Sequence, residues 1–242
     1  NQRLDDQALD LRRSNAELEQ FAYVASHDLQ EPLRKVASFT QLLQRRYGDQ
    51  LDERADQYIE FAVDGAKRMQ ALINDLLAFS RVGRMAEEPE IVDMDDAMQT
   101  ALANLATSIE EAGAIVEVGH LPSVRGEPTL LAAVLQNLVG NAIKFRGQAP
   151  PLVVVSVERA DDMWRFSVSD NGIGIEPEYA DRIFVIFQRL HPKEVYGGTG
   201  IGLALCRKIV EFHGGRIELD TSVPEGTTFR FTLPVLQEDT DR

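Results

Sequence analysis

The sequence holds one cysteine, Cys206, in 242 residues. An intramolecular disulfide and a cysteine-based zinc site are therefore excluded. Cys206 lies in an apolar helical run, where it reads as a buried, inert thiol, and a reducing, cytoplasmic setting is the expectation. No apolar run reaches the ~18–20 residues that span a bilayer, and no leader peptide is recognisable. The chain opens on Asn1 rather than on methionine, so the expectation is a fragment of a parent that is soluble or membrane-anchored. Positive charge is also short. Lys and Arg number 25 against 39 Asp and Glu, a formal net charge of −14. That balance disfavours nonspecific attraction to nucleic acid or to an acidic membrane, and no nucleic-acid partner is expected. Histidine is scarce too. His120 and His191 fall in expected loops, His213 precedes a pair of helix-ending glycines as a structural residue, and no spacing supports a histidine-based metal site.

What is present is ordinary globular material, 44% hydrophobic and 26% charged, enough for one large domain or two small ones. Residues 1–85 lack strand patterning. Leu4, Leu11, Leu18 and Ala25 recur every seven residues, a coiled-coil-like seam. The apolar phase continues through Leu29, Leu33, Val36 and Leu43. Gly48 and Asp52 punctuate a turn near 48–52, and a second helical pattern runs through Ile59, Val63, Ala66, Met69, Ile73, Leu76 and Leu77. One hairpin buries its apolar stripe poorly, so a four-helix bundle made by a homodimer is expected.

Residues 86–91 read as a linker, 92–236 as a mixed α/β domain and 237–242 as an acidic tail. Helices are expected over 95–112, 128–145, 178–187 and 200–213. Strands are expected over 115–118, 152–158, 164–170, 216–220 and 228–234, with a polar turn at Asp161-Asp162. Pro128 suits a first helical turn. The interspersion predicts an α/β sandwich with helices on one face of a mixed sheet.

Four motifs carry chemistry. His27 stands two positions from both Ala25 and Leu29, so helical rotation turns it away from the seam towards solvent. An exposed imidazole with a pKa of about 6.5 is mostly neutral at cellular pH and is a competent nucleophile. Asp28 suits a carboxylate that orients one ring nitrogen and leaves the other free. Pro32 cannot donate to the Asp28 carbonyl, so a bend is expected beside the histidine. Asn137, Asn141 and Lys144 follow at i, i+4 and i+7 on one face of an otherwise apolar helix. Amide oxygens are ligands for a hard cation such as Mg²⁺, and a lysine one turn on meets phosphate charge.

Asp170-Asn171-Gly172-Ile173-Gly174 follows a strand. Its glycines admit backbone close to a ligand, and its aspartate suits an exocyclic amine such as that of adenine. Gly198-Thr199-Gly200-Ile201-Gly202 precedes a helix, whose N-terminal amides form an anion site. It is neither a Walker loop nor a dinucleotide fingerprint.

The string from Phe21 to Arg34 around His27 resembles the phosphoacceptor box of the sensor histidine kinases of two-component systems, above all those attached to bacterial phytochromes and PAS sensors. The later motifs resemble the N, G1, F and G2 boxes of the Bergerat-fold (GHKL) ATPases. This double resemblance covers about residues 20–235. It implies a dimeric helical hairpin followed by a Bergerat α/β sandwich. The activity it implies is ATP-dependent phosphorylation of His27, with transfer to an aspartate on a response-regulator receiver domain. The implied upstream partner is a sensor domain in the same chain.

By the same resemblance Asn137 and Asn141 hold Mg²⁺, Lys144 contacts phosphates, Asp170 reads the adenine amine and Phe145 lies near the base. Gly172, Gly174, Gly198, Thr199, Gly200 and Gly202 line the nucleotide. Phe184 and Phe187 match the F box, Arg189 the arginine that reaches the γ-phosphate, and residues 190–197 a short lid. Gly226-Thr227-Thr228-Phe229 matches a late segment whose threonine, here Thr227, lies near the base.

One departure stands at Glu31, where many members carry Thr or Asn to position water, so the resemblance does not carry phosphatase activity at that position. Arg34 and Lys35 mark the expected regulator-docking surface. Two other readings compete: an ATP-hydrolysing GHKL enzyme, whose relatives carry a water-activating glutamate where this chain has Asn137, and a catalytically weak dimeric scaffold.

Overall fold

The computed structural model describes residues 29–83, 89–190, 196–223 and 225–236. The heptad seam, His27 and Asp28 lie outside the described residues. The chain divides into two compact units, Asn1–Arg81 and Val82–Arg242.

The first unit is a helical hairpin. Its first helix (α1, 29–47) runs through Pro32, and a 3₁₀ turn at Gly48–Gln50 leads to a second helix (α2, Glu53–Arg81). Asp52 starts α2 by accepting the Ala55 N–H at 2.7 Å, and Glu53 and Asp56 place negative charge at the positive end of the helix dipole. Gln30 Nε2 donates to Asn74 Oδ1 at 3.0 Å, tying α1 to α2. Ala66, Ile73 and Leu77 are buried on α2. Leu29, Val36, Phe39, Leu42, Leu43, Tyr58, Phe61 and Met69 are exposed, although several of them continue the apolar stripe of the sequence.

The second unit opens with β1 (Glu90–Asp93), which pairs antiparallel with β3 (Ser123–Gly126), Val92 opposite Val124. Between them lie α3 (Met94–Ala112) and β2 (Ile115–Val118). Asp93 caps α3 through the Asp95 N–H at 2.8 Å. Then come α4 (Pro128–Lys144), β4 (Leu152–Ala160), β5 (Met163–Asp170), α5 (Gly202–Phe212), β6 (Ile217–Leu219) and β7 (Thr227–Pro234). The main sheet runs β2-β4-β5-β7-β6, with β2 and β4 parallel and the other pairs antiparallel.

Strand alternation puts Val153, Val155, Phe166, Val168, Phe229, Phe231 and Leu233 in the core. The rings of Phe166 and Phe231 stack 4.7 Å apart. Ser156, Glu158 and Arg165 point to the opposite, solvated face, where Arg165 Nη1 reaches Glu158 Oε1 at 2.8 Å. The helix α4 packs between α3 and α5 and against β4 and β5. It buries Leu131, Val134, Leu135, Leu138 and Val139, each worth about 1.5–3 kcal/mol over exposure. No helix among the described residues is long and apolar enough to cross a membrane.

Two local expectations fail. The segment 178–187 is not a helix but two 3₁₀ turns, Pro177–Tyr179 and Arg182–Phe184, with Val185 extended and Phe187 at φ 65°. The Phe187 N–H donates to the Gly200 carbonyl at 2.9 Å, a tertiary bond that replaces any helical one. The strand β1 begins at Glu90, inside the stretch read as linker.

Candidate functional site

The C-terminal half of α4 brings the first set of groups into place. Asn137 Nδ2 donates back to the Ala133 carbonyl at 2.8 Å, which fixes the amide and aims Oδ1 outwards. That oxygen faces the start of α5: a Cβ added at Gly202 would stand 2.5 Å from it. Asn141 and Lys144 follow on the same half-buried face. The donor set fits a hard cation shared with phosphate, because the amide oxygen is presented rather than spent inside the helix. Among the described residues no cluster of three or more His, Cys, Asp or Glu forms a carboxylate or thiolate alternative.

Lys144 Nζ sits 4.3 Å from the centroid of the Phe145 ring. Burial, and after it the nearby Arg189 cation, pull its pKa below the usual lysine range. No carboxylate pairs with Lys144 or Arg189 among the described residues. Two cations close together without a counter-charge form a site complementary to an anion.

Beside them, β5 ends at Asp170. Asp170 Oδ1 accepts the Gly172 N–H at 2.8 Å and the Thr227 N–H at 3.1 Å, and the Thr227 hydroxyl bonds the same carboxylate. Burial nevertheless dominates and pushes the carboxyl above its usual range. Asn171 staples the loop, accepting the Leu152 N–H at 2.9 Å and donating to the Pro150 carbonyl at 3.0 Å. The Ile173 N–H donates to the Phe145 carbonyl at 3.0 Å, so the loop is seated on the end of α4. A Cβ at Gly172 would collide with that carbonyl oxygen, and one at Gly226 (φ 73°) with the Asp170 carbonyl. Both glycines are thus required by backbone packing around Asp170, and a Cβ at Gly174 (φ 75°) would crowd the Gly226 carbonyl oxygen at 3.3 Å.

The second glycine loop closes the site. Gly198 and Gly200 have φ of 128° and 76°. Thr199 Oγ1 accepts the Ile201 N–H at 3.4 Å. No side chain caps α5, so its first N–H groups are left without a side-chain acceptor, and its first residue, Gly202, abuts Asn137 Oδ1. Phe184 is buried edge-on to Phe229 at 6.2 Å, while Phe187 is 61% exposed.

Asn137, Asn141, Lys144, Phe145, Asp170, Thr227 and the two glycine loops therefore converge around one end of α4. Sequence reasoning named Asn171 only within its motif and Tyr196 only within the 190–197 lid, and gave neither a role of its own. The signal for Tyr196 was an aromatic residue directly before Gly197-Gly198; for Asn171 it was an amide at a strand-to-loop junction. Elsewhere, Cys206 is buried and its thiol is pushed up to about 12 by desolvation. The His213 ring bridges the Ile209 carbonyl and the Glu127 N–H at 2.8 and 3.0 Å. Both residues are structural.

The family model described as "His Kinase A (phospho-acceptor) domain" matches residues 17–84. That described as "Histidine kinase-, DNA gyrase B-, and HSP90-like ATPase" matches residues 126–237. Cyanobacterial phytochrome A of Nostoc sp. is 52% identical over 97% of this chain and 31% of its own length. Phytochrome-like protein Cph1 of Synechocystis sp. is 49% identical over 94% of this chain and 30% of its own. The chain therefore spans about a third of the length of these curated relatives. Among solved structures, full-length ShkA in complex with AMPPNP aligns with a TM-score of 0.69 and 26% identity, over 90% of this chain and 46% of that one. The catalytic domain of the histidine kinase ThkA aligns with a TM-score of 0.53 and 26% identity, over 61% of this chain and 96% of that one. With a phosphoacceptor hairpin followed by an ATPase domain of the GHKL fold, the chain belongs to the sensor histidine kinases of two-component systems.

Proposed function

We propose that this chain binds ATP at the end of α4 and transfers its γ-phosphate to His27. The observation that carries the reading is the convergence of an outward amide oxygen, two cations with no carboxylate partner among the described residues, a helix N-terminus without a side-chain cap and a buried carboxylate on one site. Asp170 accepts the adenine amine, Phe145 and Thr227 border the base, and Gly172, packed on the Phe145 carbonyl, and Gly174 shape the loop beside it. Gly198, Thr199, Gly200 and Gly202 offer backbone N–H groups to the phosphates. Lys144 and Arg189 balance phosphate charge as it develops. Mg²⁺, held through Asn137 and Asn141, supplies further positive charge to the phosphates when bound.

His27 attacks as the neutral imidazole, its orientation set by Asp28. A nitrogen–phosphorus bond forms, the bond from the γ-phosphorus to the bridging oxygen breaks, and ADP leaves. With Asn137 where a hydrolytic relative has glutamate, no carboxylate on α4 activates water, so the histidine is the acceptor. A response-regulator aspartate then takes the phosphoryl group, docking near Arg34 and Lys35.

The chain acts as a homodimer, since the exposed stripe of the hairpin wants a second copy. The working divisions are 1–85, a linker that ends before β1 at Glu90, the α/β unit to 236 and a tail at 237–242. An upstream sensor domain in the parent protein feeds its signal through the seam of Leu4, Leu11 and Leu18.

Incorporation of label from γ-labelled ATP tests the reading. The expected product is an acid-labile, alkali-stable adduct in the parent that vanishes in His27→Ala. Acid-stable label, or label that persists in the variant, overturns it. For docking, charge reversal of Arg34 and Lys35 is expected to slow transfer to the regulator; an unchanged rate overturns that assignment.

A further inference from the structure

Around Arg189 the structure holds a contact set that no motif accounts for. Arg189 Nη1 donates to the Gly198 carbonyl at 3.1 Å and Nη2 to the Tyr196 carbonyl at 2.7 Å. The Tyr196 ring lies against Phe145, centroids 5.0 Å apart and tilted by 49°. Its hydroxyl reaches the Arg146 carbonyl at 3.4 Å. On the far side of the same contact, a Cβ at Gly198 would stand 2.6 Å from Lys144 Nζ. One residue, Tyr196, thus touches the end of α4 through its ring and the arginine through its carbonyl.

A guanidinium has five N–H donors in a rigid plane. The carbonyls of Tyr196 and Gly198 take one from each terminal nitrogen and so fix the plane, leaving three donors for an anion. A free arginine would have to freeze several torsions on binding, and a fixed one has lost that freedom already. The Tyr196 ring rests on Phe145, which is itself anchored at the α4 terminus by the bond from its N–H to the Asn141 carbonyl at 2.9 Å.

We propose that Tyr196 is a positioning residue that seats its ring on Phe145 and thereby holds Arg189 oriented for a terminal phosphate. The inference rests on the proposed nucleotide site and adds to it a determinant of triphosphate over diphosphate. Tyr196 works through Arg189, so its removal acts on what distinguishes ATP from ADP. The ring, not the hydroxyl, does the holding, since the hydroxyl contact is long.

The test is calorimetric binding of a nonhydrolysable ATP analogue and of ADP, each with Mg²⁺, to the whole chain. Binding does not depend on phosphorylation of His27. In Tyr196→Ala the preference for the triphosphate falls by about tenfold, the worth of one bond to a charged group. ADP affinity stays within about twofold of the parent, and Tyr196→Phe behaves as the parent. In an Arg189→Ala background, Tyr196→Ala causes no further loss of preference. Equal weakening of both nucleotides overturns the inference, because the ring would then serve the base. Damage in Tyr196→Phe equal to that in Tyr196→Ala, or additive losses in the double variant, also overturns it. Should Tyr196→Ala fail to fold, Arg189→Lys reads the same contact. One ammonium cannot span both carbonyls and is expected to lose the preference, and full retention overturns the inference. A parent chain that binds neither nucleotide overturns the proposed function itself, and with it this inference.

Discussion

Phe61 in the hairpin is 71% exposed, whereas Phe166 and Phe231 in the α/β unit are 0% and 1% exposed and stack 4.7 Å apart. The two units handle the same kind of side chain in opposite ways. Strands expose alternate faces, so a sheet with helices on one side closes its own core. Two helices present a stripe along their whole length and have nothing of their own to cover it. The α/β unit is thus self-sufficient, whereas the described hairpin leaves much of its apolar stripe uncovered. That difference suits the proposed division of labour, in which nucleotide chemistry needs a rigid, closed site and the hairpin an interface with a second copy.

The largest effect that would break the comparison is at the interface. Phe61→Asp is expected to weaken homodimerisation at least about a hundredfold, as a charge placed on a hot-spot ring would. Sedimentation equilibrium reads the dimer. Melting of the α/β unit should be unchanged, and a dimer that survives would place the contact elsewhere.

Next comes a pair of glycine substitutions. Gly226→Ala meets the Asp170 carbonyl at φ 73° and is expected to cost about 2–4 kcal/mol. Gly48→Ala in the hairpin turn has nothing within 4 Å and should stay within about 0.5 kcal/mol of the parent. Urea midpoints compare the two.

Asp170→Asn sharpens the contrast within the α/β unit. Burial raises the folded pKa of Asp170 above its unfolded value, so the folded state binds the proton more tightly. Stability contributed by this group is therefore full below the unfolded pKa and is lost as pH rises through the folded one. Removing the charge should make the variant more stable than the parent above that window and no different below it, while ATP affinity falls about tenfold or more. Urea titrations across pH and a nucleotide-binding curve check both halves.

The smallest effect is at Glu31→Gln. The Glu31–Lys35 pair is 2.6 Å long but 60% exposed at both ends, and its loss should cost no more than about 0.5 kcal/mol by thermal melting.

Much of this was legible from the chain itself. Pro128, Gly113 and the Gly214 pair bound their helices where local rules put them, and β2 runs from Ile115 to Val118 as its alternation predicts. The misread segment, 178–187, has helical spacing of Ile183, Phe184 and Phe187. Its β-branched Ile183, Val185 and Ile186 are weak helix formers, and the Gly200 carbonyl draws the Phe187 N–H away. The strands β1 and β3 are four residues each, and their inward Val92 and Val124 are too few to make a period. In the site, residues that bear chemistry by type were visible as motifs. Those that act through backbone were not: the Tyr196 and Gly198 carbonyls on Arg189, and the Gly226 passage beside Asp170, depend on chain segments meeting in space.

The most direct measurement takes nucleotide binding and phosphate labelling side by side in two variants, one in each unit. His27→Ala should bind an ATP analogue within about twofold of the parent and carry no label, since the proposed acceptor and the proposed nucleotide site belong to separate units. Asn137→Ala should lose both binding and label. Label retained in His27→Ala, or nucleotide binding lost together with it, would contradict the account.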